Sequence, residues 1–88
     1  MSKEFIQLKN EINKIDNQLV LLLKRRLKLV ERIKKFRLDK NIPQEDRKRE
    51  DEILQSKVEN SGLPKSFIKR IFETIFQESR NVRPKREK

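Results

Sequence analysis

A single apolar stripe in the first half of the chain constrains the fold more than any other feature. Hydrophobic residues recur there at spacings of three and four, the repeat of one face of an α-helix. The ten positions of the stripe are Phe5, Leu8, Ile12, Ile15, Leu19, Leu22, Arg26, Leu29, Ile33 and Phe36. The pattern predicts a helix over residues 4–38, roughly 50 Å long at 1.5 Å per residue. Because one short helix cannot cover a rod of that length, the stripe predicts a second chain beside it.

Four residues that break helices divide the rest of the chain. They are Pro43, Gly62, Pro64 and Pro84. The segments between them predict two shorter helices, over residues 44–61 and 65–83. Gly62 is expected to end the second helix and Pro64 to begin the third. Because no strand-like alternation occurs, the predicted fold class is all-α, with one long helix and two shorter ones.

Each shorter helix has its own apolar face. The second helix has a thin one, formed by Ile53, Leu54 and Val58. The third has a fuller one, formed by Phe67, Ile68, Ile71, Phe72, Ile75 and Phe76. Ser79 and Arg83 continue the face of the third helix at the same spacing, so polar groups are expected at its C-terminal end.

Charge and composition restrict both the partners and the chemistry. The 88 residues include 24 Lys and Arg against 14 Asp and Glu, a formal net charge of +10, and they include no His or Cys. A surface with this charge attracts anions: nucleic acid, an anionic membrane or small polyanionic metabolites. Without Cys and His there is no disulfide, thiol nucleophile, Ser-His-Asp triad or ordinary zinc site. Any reaction must therefore use Arg, Lys, Asp, Glu, Ser and the geometry of binding.

The hydrophobic residues do not indicate a membrane protein. The longest uninterrupted apolar run, Leu19 to Leu23, is far too short to span a bilayer. The N-terminal residues show no apolar signal region. These observations predict a cytoplasmic protein.

Arg26 is the only polar residue in the stripe. A buried, unpaired guanidinium is costly, so Arg26 requires a partner, which is either a carboxylate in a structural, register-setting role or a bound anion. Arg37 lies three turns further along the same face, roughly 16 Å away, where the two side chains could grip a small dianion. Arg37 could equally be a solvated cation at a helix end. Lys9 lies roughly 25 Å before Arg26, so it could reach the same ligand only from an antiparallel partner chain.

The second helix carries charged residues on one face: Asp46, Arg49 and Glu50. Such a face is either a solvated set of salt bridges or the margin of a binding site. Ser79 on the third helix is either an ordinary small residue near a helix end or a hydrogen-bonding group of the same site.

Taken together, these positions resemble the all-helical class of chorismate mutases from about Phe5 to Arg83. The resemblance rests on Ile15-Asp16 with Arg26 ten residues after the aspartate, on the block Pro43…Arg49-Glu50, and on Ile75-Phe76-Gln77-Glu78-Ser79-Arg80. It implies an intertwined homodimer of three-helix chains with two active sites. Each site would be lined mainly by one chain and completed by Lys9 of the other. The implied reaction converts chorismate to prephenate, on the route to phenylalanine and tyrosine, with no cofactor and no metal.

The resemblance also implies roles for individual residues. Arg26 matches an arginine that binds a substrate carboxylate, and Glu50 matches a glutamate that accepts a hydrogen bond from the ring hydroxyl. Asp46, Arg49 and Ser79 match substrate-binding residues.

Three positions depart from the family pattern. Lys9 stands where Arg is usual, Arg37 stands where a Lys reaches the ether oxygen, and Arg83 stands where Gln or Glu lies near that oxygen. The implied catalytic set is Arg26, Arg37, Glu50 and Arg83, and the implied substrate-binding set is Lys9, Asp46, Arg49 and Ser79. Residues 1–83 form the implied domain, and residues 84–88 are expected to be a disordered basic tail.

Three alternatives remain open at the level of sequence. A basic helical dimer could bind nucleic acid, although no specific motif is present and the Phe residues occupy apolar faces. An isochorismate–pyruvate lyase, a relative with the same fold, is compatible with the same residues. A plain coiled-coil scaffold would leave Arg26 in the stripe without a function.

Overall fold

Three helices make up most of the chain. In the computed structural model, which describes residues 2–43 and 47–84, α1 spans Lys3–Lys40, α2 spans Arg47–Ser61 and α3 spans Lys65–Asn81. The predicted all-α class, with one long helix and two shorter ones, is confirmed. Asp46 and the tail beyond Pro84 lie outside the described residues. Within those that are described, no helix has the length and apolar character needed to cross a bilayer.

Side-chain and backbone caps define the ends of α1. At its start, the Ser2 hydroxyl accepts a hydrogen bond from the Phe5 backbone N–H at 3.1 Å, which satisfies a donor that the first turn leaves free. At its end, Asn41 adopts a left-handed conformation with φ 54°. The Ile42 N–H then reaches the Arg37 carbonyl at 2.9 Å, the pattern of a Schellman cap. The helix therefore ends at Lys40, before Pro43 can interrupt it.

A tight turn joins α2 to α3. Gly62 has φ 68°, a conformation that favours glycine, and it follows directly after the last residue of α2. Pro64 precedes the first residue of α3, and its carbonyl accepts from the Ile68 N–H at 3.2 Å. The two breakers thus act where the sequence predicted, and they fold α3 back against α2.

The packed part of the molecule is small. Among the described residues, Ile68 and Phe76 on α3 are the buried hydrophobic side chains. The rings of Phe72 and Phe76 pack in a tilted arrangement with centroids 5.9 Å apart. The predicted apolar face of α3 is therefore only partly covered, since Phe67 and Ile71 remain exposed.

The C-terminal end of α3 differs from the prediction. The helix stops at Asn81, and Val82 is extended, with φ −65° and ψ 130°. Arg83 therefore does not continue the helical face. It lies beyond the helix because the extended backbone of Val82 ends the helical turn. The position of Arg83 therefore depends on the contacts that hold the last turn of α3.

The apolar stripe of α1 lies open in the single chain. No residue of α1 is buried, and fifteen of its large hydrophobic side chains are exposed. The molecule is correspondingly elongated, with extents of 58 × 35 × 16 Å. The long helix thus projects a hydrophobic face that one chain leaves uncovered.

Candidate active site

Arg26 meets Ser79 where α1 crosses the C-terminal half of α3. The Arg26 Nη1 donates to the Ser79 Oγ at 2.7 Å, and that hydroxyl donates to the Ile75 carbonyl at 2.8 Å. The guanidinium also lies over the ring of Phe76, 5.7 Å from its centroid. In the described parts of the chain no carboxylate pairs with Arg26. The half-buried guanidinium is therefore held in place by neutral groups, and its charge remains available to an anion.

A cationic cavity of about 540 Å³ lies next to this contact, between the ends of α1 and α3. Four cations line it: Lys34, Arg37, Arg80 and Arg83. Apolar and neutral walls complete it, formed by Leu38, Asn41, Ile42, Val82 and Pro84. Its volume falls in the range of roughly 300–1,000 Å³ that small-molecule sites occupy. A cavity with this lining is suited to a small ligand that carries more than one negative charge.

Lys34 shows the effect of this concentration of charge. Burial, followed by the nearby guanidinium groups of Arg83 and Arg37, lowers the pKa of Lys34 from its ordinary value of 10.5. Both causes disfavour the ammonium form: burial removes water from it, and the neighbours repel it. An anion in the cavity would relieve the repulsion among these cations.

Glu50 is joined to the same region through Arg80. The Arg80 Nη1 donates to the two carboxylate oxygens of Glu50 at 2.7 and 2.9 Å. This pair links α2 to the last turn of α3, and it connects Glu50 to Arg80, which lines the cavity. Each carboxylate oxygen has more than one lone pair, so Glu50 can still accept a further hydrogen bond.

Five of the eight predicted site residues therefore meet around the end of α3. They are Arg26, Arg37, Glu50, Ser79 and Arg83.

The other three predicted residues do not join this group within the described chain. Arg49 lines a separate groove of α2 with Glu52, Ile53, Ser56 and Lys57. Lys9 lies near the other end of α1, where its ammonium sits 5.6 Å from the centroid of the Phe5 ring. Asp46 is outside the described residues.

Sequence reasoning missed two cations of the site, Lys34 and Arg80. A signal existed for Lys34, because it lies one helical turn before Arg37 and is therefore on the same side of α1. For Arg80 the only signal was its position directly after Ser79, since its partner Glu50 is 30 residues away in the chain. Neither residue interrupts an apolar stripe, which is the feature that drew attention to Arg26.

Comparison with known proteins gives a consistent result. Residues 8–83 match the profile of the family described as chorismate mutase type II. A curated relative, the bifunctional chorismate mutase/prephenate dehydratase of Buchnera aphidicola subsp. Schizaphis graminum, is 38% identical over 80 residues. That match covers 86% of this chain but only 20% of the relative, so the chain spans about a fifth of the length of that protein.

Two solved structures have a similar fold. The chorismate mutase of Thermus thermophilus superposes with a TM-score of 0.78 at 26% identity, and the match covers 88% of this chain and 99% of that one. A conserved hypothetical protein from Pyrococcus furiosus superposes with a TM-score of 0.71 at 39% identity, covering 93% of this chain and 97% of that one. Both alignments extend over nearly the whole of the solved chains.

Proposed function

Because this chain belongs to the chorismate mutase type II family, we propose that it converts chorismate to prephenate. The observation that carries the proposal is the pairing of Arg26 with Ser79 beside a cavity that Arg37 and Arg83 line. Chorismate carries two carboxylates, and this region offers several guanidinium groups that can bind them. The lack of His and Cys is no obstacle, because the rearrangement is unimolecular and transfers no proton.

The reaction breaks an ether C–O bond while a C–C bond forms. Two contributions lower its barrier: selection of the compact, chair-like conformer, and stabilisation of the negative charge that develops on the ether oxygen. We assign Arg26 to a substrate carboxylate, because its guanidinium is oriented by Ser79 and Phe76 and has no anionic partner among the described residues. Ser79 supports the same contact. These groups hold the substrate in one conformer.

We assign Arg37 and Arg83 to the charge that develops at the ether oxygen, since both line the cavity. Each guanidinium carries five N–H donors in a fixed plane, so either residue can donate to that oxygen. Having two cations together is unfavourable without a ligand and becomes favourable as negative charge develops between them.

We assign Glu50 to the ring hydroxyl of the substrate. Its carboxylate is held by Arg80, which restricts its orientation and leaves lone pairs for the hydroxyl to donate to. The proposed roles of Arg49 and Asp46 as substrate-binding residues rest on the family resemblance.

We propose that the working form is a homodimer. One chain buries few hydrophobic side chains and exposes the stripe of α1, whereas an 88-residue domain needs a larger core to be stable. An antiparallel second copy would cover the stripe. It would also bring its own Lys9 to the site, a position that Lys9 of the same chain is too distant along α1 to reach.

The function is tested by mixing purified protein with chorismate and following both its loss of absorbance and the appearance of prephenate. We expect turnover above the spontaneous rate, and its absence would refute the proposal. A parallel incubation with isochorismate distinguishes the related lyase activity, which would release pyruvate.

Arg26→Ala, with Arg25→Ala as the matched control, tests the site itself. Both substitutions remove a guanidinium from neighbouring positions of α1, but only Arg26 contacts Ser79. We expect kcat/KM to fall by at least about 10²-fold for Arg26→Ala, the scale seen when a substrate loses its correct position in an active site. Circular dichroism should show unchanged helicity. If Arg26→Ala unfolds while Arg25→Ala does not, Arg26 is structural.

Two further expectations from the sequence remain predictions. The cytoplasmic location rests on the sequence alone. Nucleic acid is not proposed as a partner, because Phe is the only aromatic residue type in the chain and the rings of Phe72 and Phe76 pack against each other.

A further inference from the structure

Lys34 makes an unusually complete set of contacts at the end of α3. Its ammonium donates to the backbone carbonyls of Ser79, Arg80 and Val82, at 2.7, 2.9 and 2.9 Å. A lysine ammonium has three N–H donors, so all three are used on this one turn. The last backbone carbonyls of a helix have no hydrogen-bond donor within that helix, and here Lys34 of α1 supplies the donors.

Among the described residues, the backbone at the end of α3 has few other hydrogen bonds, although the side chains of Ser79 and Arg80 contact Arg26 and Glu50. α1 ends in a left-handed residue with a Schellman pattern, whereas α3 ends in an extended residue, Val82. The hydrogen bond from the Val82 N–H to the Ser79 carbonyl is long, at 3.3 Å. The cation also lies at the negative end of the α3 dipole, where positive charge is stabilising. Hydrogen bonds to these carbonyls stabilise the Lys34 ammonium and so offset the burial and the neighbouring cations, both of which lower the pKa of Lys34.

Several groups of the proposed site depend on the turn that Lys34 caps. The Ser79 carbonyl accepts from Lys34 while the Ser79 hydroxyl accepts from Arg26. The Arg80 carbonyl accepts from Lys34 while its guanidinium holds Glu50. The Val82 carbonyl is the last anchored group before Arg83, which lines the cavity.

We infer that Lys34 is a positioning residue of the active site: by capping the last turn of α3, it places Ser79 and Arg83 against the substrate. This inference rests on the proposed function. Lys34 acts through the backbone and does not itself have to touch the substrate. The required property is the convergence of three N–H donors on three carbonyls, and positive charge alone does not meet that requirement.

Two variants separate geometry from charge. Lys34→Met keeps most of the aliphatic stem and removes all three donors. Lys34→Arg keeps the charge, but its donors lie in one plane and cannot converge on the same three carbonyls. Lys28→Met is the matched control, because Lys28 is an exposed lysine of α1 outside the site.

We expect kcat/KM with chorismate to fall by about 10²-fold in both Lys34 variants, the scale of a misplacement of about 1 Å at an active site. The control should retain the wild-type value. All variants should keep wild-type helicity, and Lys34→Arg tests the inference by itself if Lys34→Met does not fold. Full activity in Lys34→Arg would overturn the inference, because charge would then suffice. Activity in Lys34→Met equal to that of the control would overturn it as well.

Amide hydrogen exchange provides a readout that does not depend on turnover. The Val82 amide, which donates to the Ser79 carbonyl, should exchange faster in both Lys34 variants, while amides in the middle of α3 keep their protection. If wild-type protein has no mutase activity but the Val82 amide responds as expected, the proposed function fails and the capping role stands. Unchanged exchange at Val82 would refute the capping role whatever the activity.

Discussion

Leu22→Ala tests whether a second chain covers the stripe of α1. In the single chain, Leu22 is 55% exposed and its neighbour Leu21 is 56% exposed. The two side chains point about 100° apart around the helix, and only Leu22 belongs to the stripe. If the chain functioned alone, each Leu→Ala substitution would change the free energy of unfolding by no more than about 0.5 kcal/mol, as surface substitutions do. Helix propensity cannot separate the two variants, since both make the same replacement.

A second chain over the stripe would change this expectation for Leu22 only. A buried Leu→Ala substitution costs about 2–5 kcal/mol, so a symmetric dimer with one Leu22 per chain loses about 4–10 kcal/mol. If even the lower figure falls wholly on association, the dissociation constant rises roughly 10³-fold. Leu21→Ala should stay close to the wild-type value because its side chain points away from the stripe.

The assay is sedimentation equilibrium together with urea unfolding at several protein concentrations. We expect the wild-type unfolding midpoint to rise with concentration, as mass action requires of a dimer. The midpoint should fall steeply for Leu22→Ala and little for Leu21→Ala. A wild-type midpoint that is independent of concentration, with both variants equally stable, would refute the reasoning and remove the route by which Lys9 reaches the site.

Two further predictions concern the groups around the cavity. Arg80→Met should lower the free energy of unfolding by no more than about 1 kcal/mol, because the Arg80 side chain is largely exposed. It should nevertheless lower kcat/KM, because Glu50 loses the partner that holds its carboxylate. A double-mutant cycle with Glu50→Gln should show strong coupling in activity, and additive effects would contradict this. The lowered pKa of Lys34 means that, just below pH 10.5, the unfolded chain binds more protons than the folded one. The free energy of unfolding therefore gains a positive slope with pH there, and Lys34→Met should lack it. Urea titrations across that range measure the difference, and parallel curves for the two proteins would contradict the assignment.

Local features of the sequence predicted the helices well because their physical causes are local. The apolar repeat of α1 and the effect of Gly62 act over one or two turns of chain, and each helix begins or ends close to the predicted residue. Of the two exceptions, the first is local in origin and the second is not. The Asn41 cap ends α1 before Pro43 does, and α3 stops short of Arg83 because its last carbonyls bond to Lys34 and not to a further turn.

The candidate site was predicted in part. Arg26 could be identified from sequence because a cation within an apolar stripe requires an explanation. Lys34 and Arg80 could not be ranked in this way, since each is one of 24 cations and neither interrupts an apolar pattern. Arg49 stays a prediction, because in the single chain it lines a different groove, formed by residues of α2.

The sequence by itself determined that this chain forms three helices, that the longest carries an apolar stripe, and that Arg26 interrupts it. Periodicity assigns a residue to a face of its own helix, and that assignment needs no knowledge of the rest of the fold. Only the tertiary structure decided which faces meet. Arg26 and Ser79 are 53 residues apart, and Lys34 reaches carbonyls at least 45 residues away. Such contacts depend on how the helices cross and where each one ends, and these are set by long-range packing that no local pattern encodes.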